Sequence, residues 1–239
     1  MKILAITTSS NICSVALLED LNVLIEKHLS DSKTHSQKLM PLIDKILKEQ
    51  NLSLNDIDLY ACSNGPGSFT GVRIAVSTVK AFADVTNTSI TSVSSLEGLA
   101  YNVNQSYLKK ETDLVCSLID AKNDNVYFGI FKKVGENDFE PLEDFKALNI
   151  NELLNFLDEK YYSTPIIFVG DGAVCHKYNI LSKLPKSIFV MEAFNGENSI
   201  SIGKCGYYKF KKGLYGDSNS ITPLYLRKSQ AERALDGEK

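Results

Sequence analysis

Ser63-Asn64-Gly65-Pro66-Gly67-Ser68-Phe69-Thr70-Gly71-Val72-Arg73 is a glycine-rich turn that runs directly into an amphipathic segment. Glycines this dense, with a proline among them, cannot continue a strand or a helix, so the backbone must turn there. Thr70 is placed to cap a helix beginning near Gly71. From Val72 the apolar residues Ala75, Val76, Val79, Phe82 and Ala83 recur at spacings of three and four, which puts them on one helical face. Upstream, Ile57-Asp58-Leu59-Tyr60-Ala61-Cys62 has the short, apolar, turn-bounded character of a buried strand. The unit is strand, glycine loop, helix. Such a unit can aim free N–H groups and a helix dipole at a phosphate, which makes Gly65, Gly67, Ser68 and Gly71 a candidate nucleotide or phosphate loop. The plainer reading is close packing at a turn. No Gly-Lys-Ser/Thr follows, so the loop is not a P-loop, and it lacks the spacing of a dinucleotide fingerprint.

Working outward, the 239 residues suffice for one large domain or two of about 120. Hydrophobic residues make up 44%, enough for a core. The 26 Lys and Arg against 29 Asp and Glu give a net charge of −3, so nothing in the overall charge favours direct nucleic-acid binding. Cys13, Cys62, Cys116, Cys175 and Cys205 are scattered singly, as buried reduced thiols of a cytosolic protein would be. The apolar run at the N-terminus is too short for a signal peptide, and none approaches the roughly 18 residues of a membrane span. A cytoplasmic protein with no membrane association is expected.

In chain order, Ile3–Ile6, Cys13–Leu18 and Leu21–Ile25 are strands joined by connections short enough to force an antiparallel meander. Asp31–Ser36 is a polar loop leading into a helix with Leu39, Met40, Leu42, Ile43, Ile46 and Leu47 on one broad face, and Pro41 is expected to kink its start or delay it. Ile90–Val93 reads as a strand and Leu96–Val103 as a helix. A boundary follows at Asn104-Gln105-Ser106, with Lys109-Lys110-Glu111 behind it. Beyond it Leu114–Ile119 and Val126–Phe131 form a hairpin about Asp120–Asn125. Asn151 caps a helix carrying Leu153, Leu154 and Leu157, Pro165–Val169 is a buried strand ending at Gly170-Asp171-Gly172, Ile188–Val190 is another, and a last helix covers Ile200–Lys211.

Two halves that each open with a meander and then add helix and parallel strand describe a duplicated α/β fold of the actin-like ATPase type (ASKHA: sugar kinase, Hsp70, actin), two subdomains with mixed sheets. The expected division is 1–103, carrying the interface helices, and 104–239, whose C-terminal tail is free to return to the first subdomain. Specific motifs then add a resemblance. Lys2-Ile3-Leu4-Ala5-Ile6-Thr7-Thr8-Ser9, Asn64–Arg73, Ser94-Ser95-Leu96-Glu97-Gly98-Leu99-Ala100, Ile119-Asp120-Ala121-Lys122 with Val126-Tyr127, Gly170-Asp171-Gly172 and Pro223-Leu224-Tyr225-Leu226-Arg227 together resemble the bacterial TsaB (YeaZ) family across nearly the whole chain. The resemblance implies a role in N6-threonylcarbamoylation of adenosine 37 in tRNAs that read ANN codons.

It also implies a division of labour. In the catalytic relative TsaD, a segment similar to Ser94–Ala100 carries two metal-binding histidines; here Ser95 and Leu99 or its neighbours stand in those places, and none replaces an imidazole. Actin-like ATPases carry an Asp in the first strand to order magnesium; this chain has Thr7. His28, His35 and His176 form no metal-ligand pattern, and neither a His-Glu-x-x-His helix nor a nucleophile elbow supports a peptidase. The expectation is a non-catalytic scaffold with no catalytic residue, metal or cofactor of its own, ATP and metal belonging to a TsaD-like partner. It would work with a TsaE-like ATPase, meet tRNA only through the complex, and form a homodimer when the partner is absent. The stripe on the Leu39 helix spans about 160°, wider than the roughly 100° of an ordinary surface helix. With the resemblance, which implies pairing through these two helices, it designates Leu39, Met40, Ile43, Ile46, Leu47, Val72, Val76 and Val79 as the partner interface. The alternative is a stand-alone actin-fold enzyme acting on ATP or a small metabolite.

Overall fold

A computed structural model of the chain describes residues 1–30, 35–103, 105–108, 114–135, 138–162 and 164–227. The first half builds a five-stranded sheet from β1 (Lys2–Thr7), β2 (Ile12–Glu19), β3 (Asn22–Ser30), β4 (Leu59–Ser63) and β5 (Ser89–Val93). Its spatial order is β3-β2-β1-β4-β5, antiparallel through the meander and parallel from β1 to β5. Helix α1 (His35–Glu49) precedes β4, α2 (Phe69–Thr86) joins β4 to β5, and α3 (Ser95–Ala100) follows β5.

The second half repeats the plan. β6 (Leu114–Asp120), β7 (Asn125–Val134), β8 (Asp138–Pro141), β9 (Lys146–Asn149), β10 (Ile166–Val169) and β11 (Ile188–Phe189) form a six-stranded sheet ordered β11-β10-β6-β7-β8, with β9 also paired to β7. Again the early strands are antiparallel and β6, β10 and β11 parallel. Helices α4 (Ile150–Tyr161), α5 (Asp171–Cys175) and α6 (Lys177–Lys183) belong to this half. The actin-like fold expected from the repeated plan is the fold observed.

Four apolar clusters fill the layers. One face of the first sheet meets α1 and α2 through Leu4, Ile6, Val15, Leu39, Ile43, Val72 and Val79. The opposite face, with Ile3, Ala5, Leu18 and Ala61, is covered by α7 (Ser199–Lys211), which touches β1, β2, β4 and β5. Helices α3 and α7 also touch each other, so they lie between the two sheets. The remaining clusters place α4, α5 and α6 on one face of the second sheet and α3 on the other. Beyond α7 the chain forms a strap: Gly216 bridges Ile90, Ile221 enters the first core, Leu224 N donates to Asn64 O (2.7 Å), and Arg227 donates to the Ala121 carbonyl in the second lobe (2.7 Å).

Several local expectations change. Ser68, not Thr70, caps α2: its hydroxyl accepts from Gly71 N (3.2 Å), so the helix starts at Phe69. Likewise Asn149 caps α4 by accepting from Asn151 N (3.0 Å). In both cases a second polar residue lay two places downstream of the true cap. Pro41 sits inside α1 without ending it. Helix α3 stops at Ala100, short of Val103. Four cysteines are buried as expected, but Cys175 is exposed. Residues 31–34, 104 and 109–111, read as loop and boundary, lie outside the described residues.

Candidate functional site

The candidate residues fall in two regions: the cleft between the lobes, and the outer helices α1 and α2. The glycine loop forms one wall of the cleft. Gly67 and Gly71 are required there by close approach, because a Cβ would sit 2.4 Å from the Ser9 carbonyl oxygen and 1.9 Å from that of Thr8. The loop is bonded to the turn after β1 in both directions: Ser68 N donates to Ser9 O (2.7 Å), and Gly71 O accepts from Thr8 Oγ1 (2.6 Å). With Gly71 N held by Ser68, two of the N–H groups suited to a phosphate are already engaged. The strap closes over the loop, the Leu224 carbonyl oxygen lying 2.8 Å from where a Cβ on Gly65 would fall.

At the base of the cleft stands Glu197, which the sequence reading passed over because it lies far from every motif. It is 6% exposed. Ser9 Oγ donates to Glu197 Oε2, Ser95 Oγ donates to Ser9 Oγ (3.2 Å), Ser63 and Ser95 share a bond of 3.0 Å, and Thr7 lies 3.3 Å from Ser9. A carboxyl brought in just before α7 therefore meets the C-terminal ends of β1 and β4, next to Thr7. Burial raises its pKa above the usual carboxylate value, tempered by the hydroxyls of Ser63, Ser9, Thr7 and Ser95. Its Oε1 has no hydrogen-bond partner.

The opposite wall carries Asp120, Lys122 and Asp171. Asp171 Oδ1 accepts from Asp120 N (3.0 Å) and Lys122 pairs with Asp120. Burial works to raise the Asp120 carboxyl, but its bonds to Lys122 outweigh this and hold it below its ordinary value. Leu99 lines the same cleft at 2% exposure, and Ser95 is fully buried in the hydroxyl network. The two positions that resemble the histidines of the catalytic relative therefore hold a core side chain and a structural hydroxyl. Among the described residues, no group of three or more His, Cys, Asp or Glu is placed to hold a metal ion.

On the outer helices the stripe mostly turns inward. Leu39, Ile43, Ile46, Leu47, Val72, Val76 and Val79 are all less than 9% exposed and belong to the chain's own core; Met40, at 49%, is the exception. A broad stripe is needed because α1 packs against both β2 and β3 as well as α2. The outward faces instead carry Met40 and Pro41 on α1, and Arg73, Ser77, Ala81 and Val85 on α2, the last 82% exposed.

Residues 23–235 match the family model described as TsaD: tRNA N6-adenosine threonylcarbamoyltransferase. A curated relative, tRNA threonylcarbamoyladenosine biosynthesis protein TsaB of Bacillus subtilis, is 30% identical over 97% of this chain and 96% of its own length. The chain belongs to the TsaD family and, within it, to TsaB. The TsaB protein of Buchnera aphidicola subsp. Baizongia pistaciae is 33% identical over 94% of the chain. Among solved structures, YeaZ from Pseudomonas aeruginosa superposes with a TM-score of 0.77 at 23% identity, over 94% of this chain and 99% of that one. ROK hexokinase from Thermus thermophilus shares the fold at a TM-score of 0.55 and 10% identity, over 89% of this chain and all of its own. The TsaB relatives are named as biosynthesis proteins, whereas a Brachyspira hyodysenteriae relative, 28% identical over 70% of the chain, is named as the transferase. No helix among the described residues is long and apolar enough to cross a membrane.

Proposed function

We propose that this TsaB-family chain is the non-catalytic subunit of a tRNA threonylcarbamoyladenosine biosynthesis machinery, which activates a TsaD-like enzyme by dimerising with it. The reaction served is N6-threonylcarbamoylation of adenosine 37 in tRNAs reading ANN codons, with a TsaE-like ATPase in the same assembly. The observation that carries the reading is the state of α3: full-length likeness to TsaB, combined with Ser95 and Leu99 where metal-binding imidazoles would be needed. The chain therefore brings no metal or ATP of its own to the reaction, and it contacts tRNA only through the complex.

The contact surface is the outward face of α1 and α2. Met40 and Val85 expose apolar atoms on helices otherwise held firmly to the sheet, so a partner meets a rigid surface and loses little entropy on binding. The same face pairs with itself when no partner is present, since isologous contacts are the commonest route to a dimer. Activation is a population shift: joining helices to the partner favours its competent arrangement, and a few kcal/mol of differential binding suffices. The test is reconstitution of threonylcarbamoyladenosine formation from a TsaD-like protein, a TsaE-like protein and a carbamoyl-adenylate-forming enzyme, with and without this chain. Loss of product on omission is expected, and equal product in both mixtures would refute the reading.

A further inference from the structure

We propose that a groove along α7, which shares no lining residue with the inter-lobe cleft, binds a small monocarboxylate carried on an aromatic body. This goes beyond the partner reading and does not depend on it. The groove has a volume of about 480 Å³, the size of a small-molecule site. Tyr101, Phe139, Phe194, Ile200 and Tyr208 give it a largely aromatic wall, and Lys204 is the one charged residue among its described lining.

The charge on Lys204 is not answered within the chain. Of the four lysines on α7 and its cap, Lys209 Nζ reaches both oxygens of Glu97 (2.9 and 2.8 Å), Lys212 pairs with Asp138 (2.6 Å), and Lys211 lies over the Tyr207 ring at 5.2 Å. Among the described residues Lys204 has no such partner, although it is only partly exposed. Lysines drawn in from water are ordinarily paired, so an anion whose apolar body fills the groove would complete the arrangement.

The remaining polar groups decide which anion. Asn102 Nδ2 donates to the Phe194 and Gly196 carbonyls, its Oδ1 accepts from Asn198 Nδ2 and Ser201 Oγ, and the Tyr101 hydroxyl donates to Asp138. At the start of α7, Ser199 N and Ser201 N donate to Ser14 Oγ and Asn198 Oδ1. With these donors engaged, a single ammonium remains to meet charge, which matches one carboxylate and underserves the doubly charged oxygens of a phosphate.

The experiment is ligand-observed NMR titration of the full chain with naphthylacetate, its uncharged isostere naphthylacetamide, and naphthyl phosphate. Saturable naphthylacetate binding is expected in the millimolar range or tighter. The amide should bind roughly tenfold or more weakly, the loss of one charge-assisted contact. Lys204→Met should reduce naphthylacetate affinity by a similar factor and leave the amide unchanged, whereas Lys204→Arg should retain the preference for the acid; circular dichroism should show both variants folded. Equal affinity for acid and amide, no saturable binding of the acid, tighter binding of the phosphate, or undiminished acid binding by Lys204→Met would each overturn the assignment. The comparison of acid with amide uses the unsubstituted chain, so it decides the matter even if a variant does not fold. Neither partner nor tRNA is involved, and a failure here leaves the reconstitution result unaffected.

Discussion

The two lobes share one strand order but treat the loop after the central parallel strand differently. After β4 the chain makes a glycine loop, is capped by Ser68, and continues into the 18-residue α2, whose outer face stays open. After β10 it turns through Gly170, φ +107°, into the five-residue α5 and then α6. In both places a glycine presses on the end of the lobe's first strand: Gly71 on the Thr8 carbonyl, and Gly170 on that of Leu118, 2.1 Å from its would-be Cβ. The difference teaches that duplication kept the packing solution and let the chemistry diverge. One lobe collected hydroxyls about Glu197, the other the Asp120–Lys122–Asp171 cluster.

The largest expected effect tests the shared part. Gly71→Val and Gly170→Val should each lose about 4 kcal/mol or more in urea unfolding, because the clash is with backbone that cannot rotate away. If one were tolerated and the other not, the equivalence of the two loops would fall.

Next comes the long outer helix pair, which the first lobe alone presents in this form. Ile43→Glu, at 2% exposure, should cost more than about 3 kcal/mol by burying an unpaired charge. Met40→Glu should change stability by no more than about 0.5 kcal/mol yet weaken partner binding and threonylcarbamoyladenosine formation. Unchanged activity of Met40→Glu and Val85→Glu together would remove the outer helices from the interface. A charge at Ile43 or Val76, both in the core, therefore reports on folding before it reports on assembly.

A smaller effect sharpens the contrast at the loop itself. Tyr225 of the strap stacks on Phe69 at 4.4 Å and accepts from Arg73 Nε at 2.8 Å, and among the described residues no aromatic stack covers the turn at Gly170. Tyr225→Ala should cost about 1 kcal/mol in thermal or urea unfolding. No loss would mean that the backbone bonds of Leu224 and Asn64 hold the strap unaided.

The subtlest difference is one of pH. Glu197 is raised in the folded state, so its contribution is fully present below the ordinary carboxylate pKa and is lost as pH rises through the folded value. Glu197→Gln should therefore gain stability relative to the parent as pH is taken from about 4.5 upward, the gap closing on acidification. A gap that widened towards acid would show Glu197 to be a stabilising anion.

Much of this was legible beforehand because it is local. The 3.6-residue period of Val72 to Ala83 and the alternation of turn residues with apolar runs located most strands and helices, and their repeat identified the fold. What escaped was set by partners distant in sequence. Short strands β8 and β9 carry too few apolar residues to stand out, and α5 and α6 are too brief for periodicity. The width of the α1 stripe was visible, but whether it faced a partner or the sheet depended on β2 and β3. Glu197 reads as a surface residue in Asn195-Gly196-Glu197-Asn198; Asn102, donating to the Phe194 and Gly196 carbonyls, and Gly170 N, donating to Asn195 Oδ1, draw that segment inward. No spacing rule links positions so far apart.

The place of α7 also has a consequence during synthesis. It covers Ile3, Ala5, Leu18 and Ala61 with residues that are made after almost every strand. As the ribosome works from the N-terminus, the first sheet emerges early with one face clad by α1 and α2 and the other bare. A chain stalled before Ser199 presents that bare apolar face to its surroundings, which makes such a fragment a client for chaperones. Among the described residues, the last helix to leave the exit tunnel is the one that makes the first lobe safe.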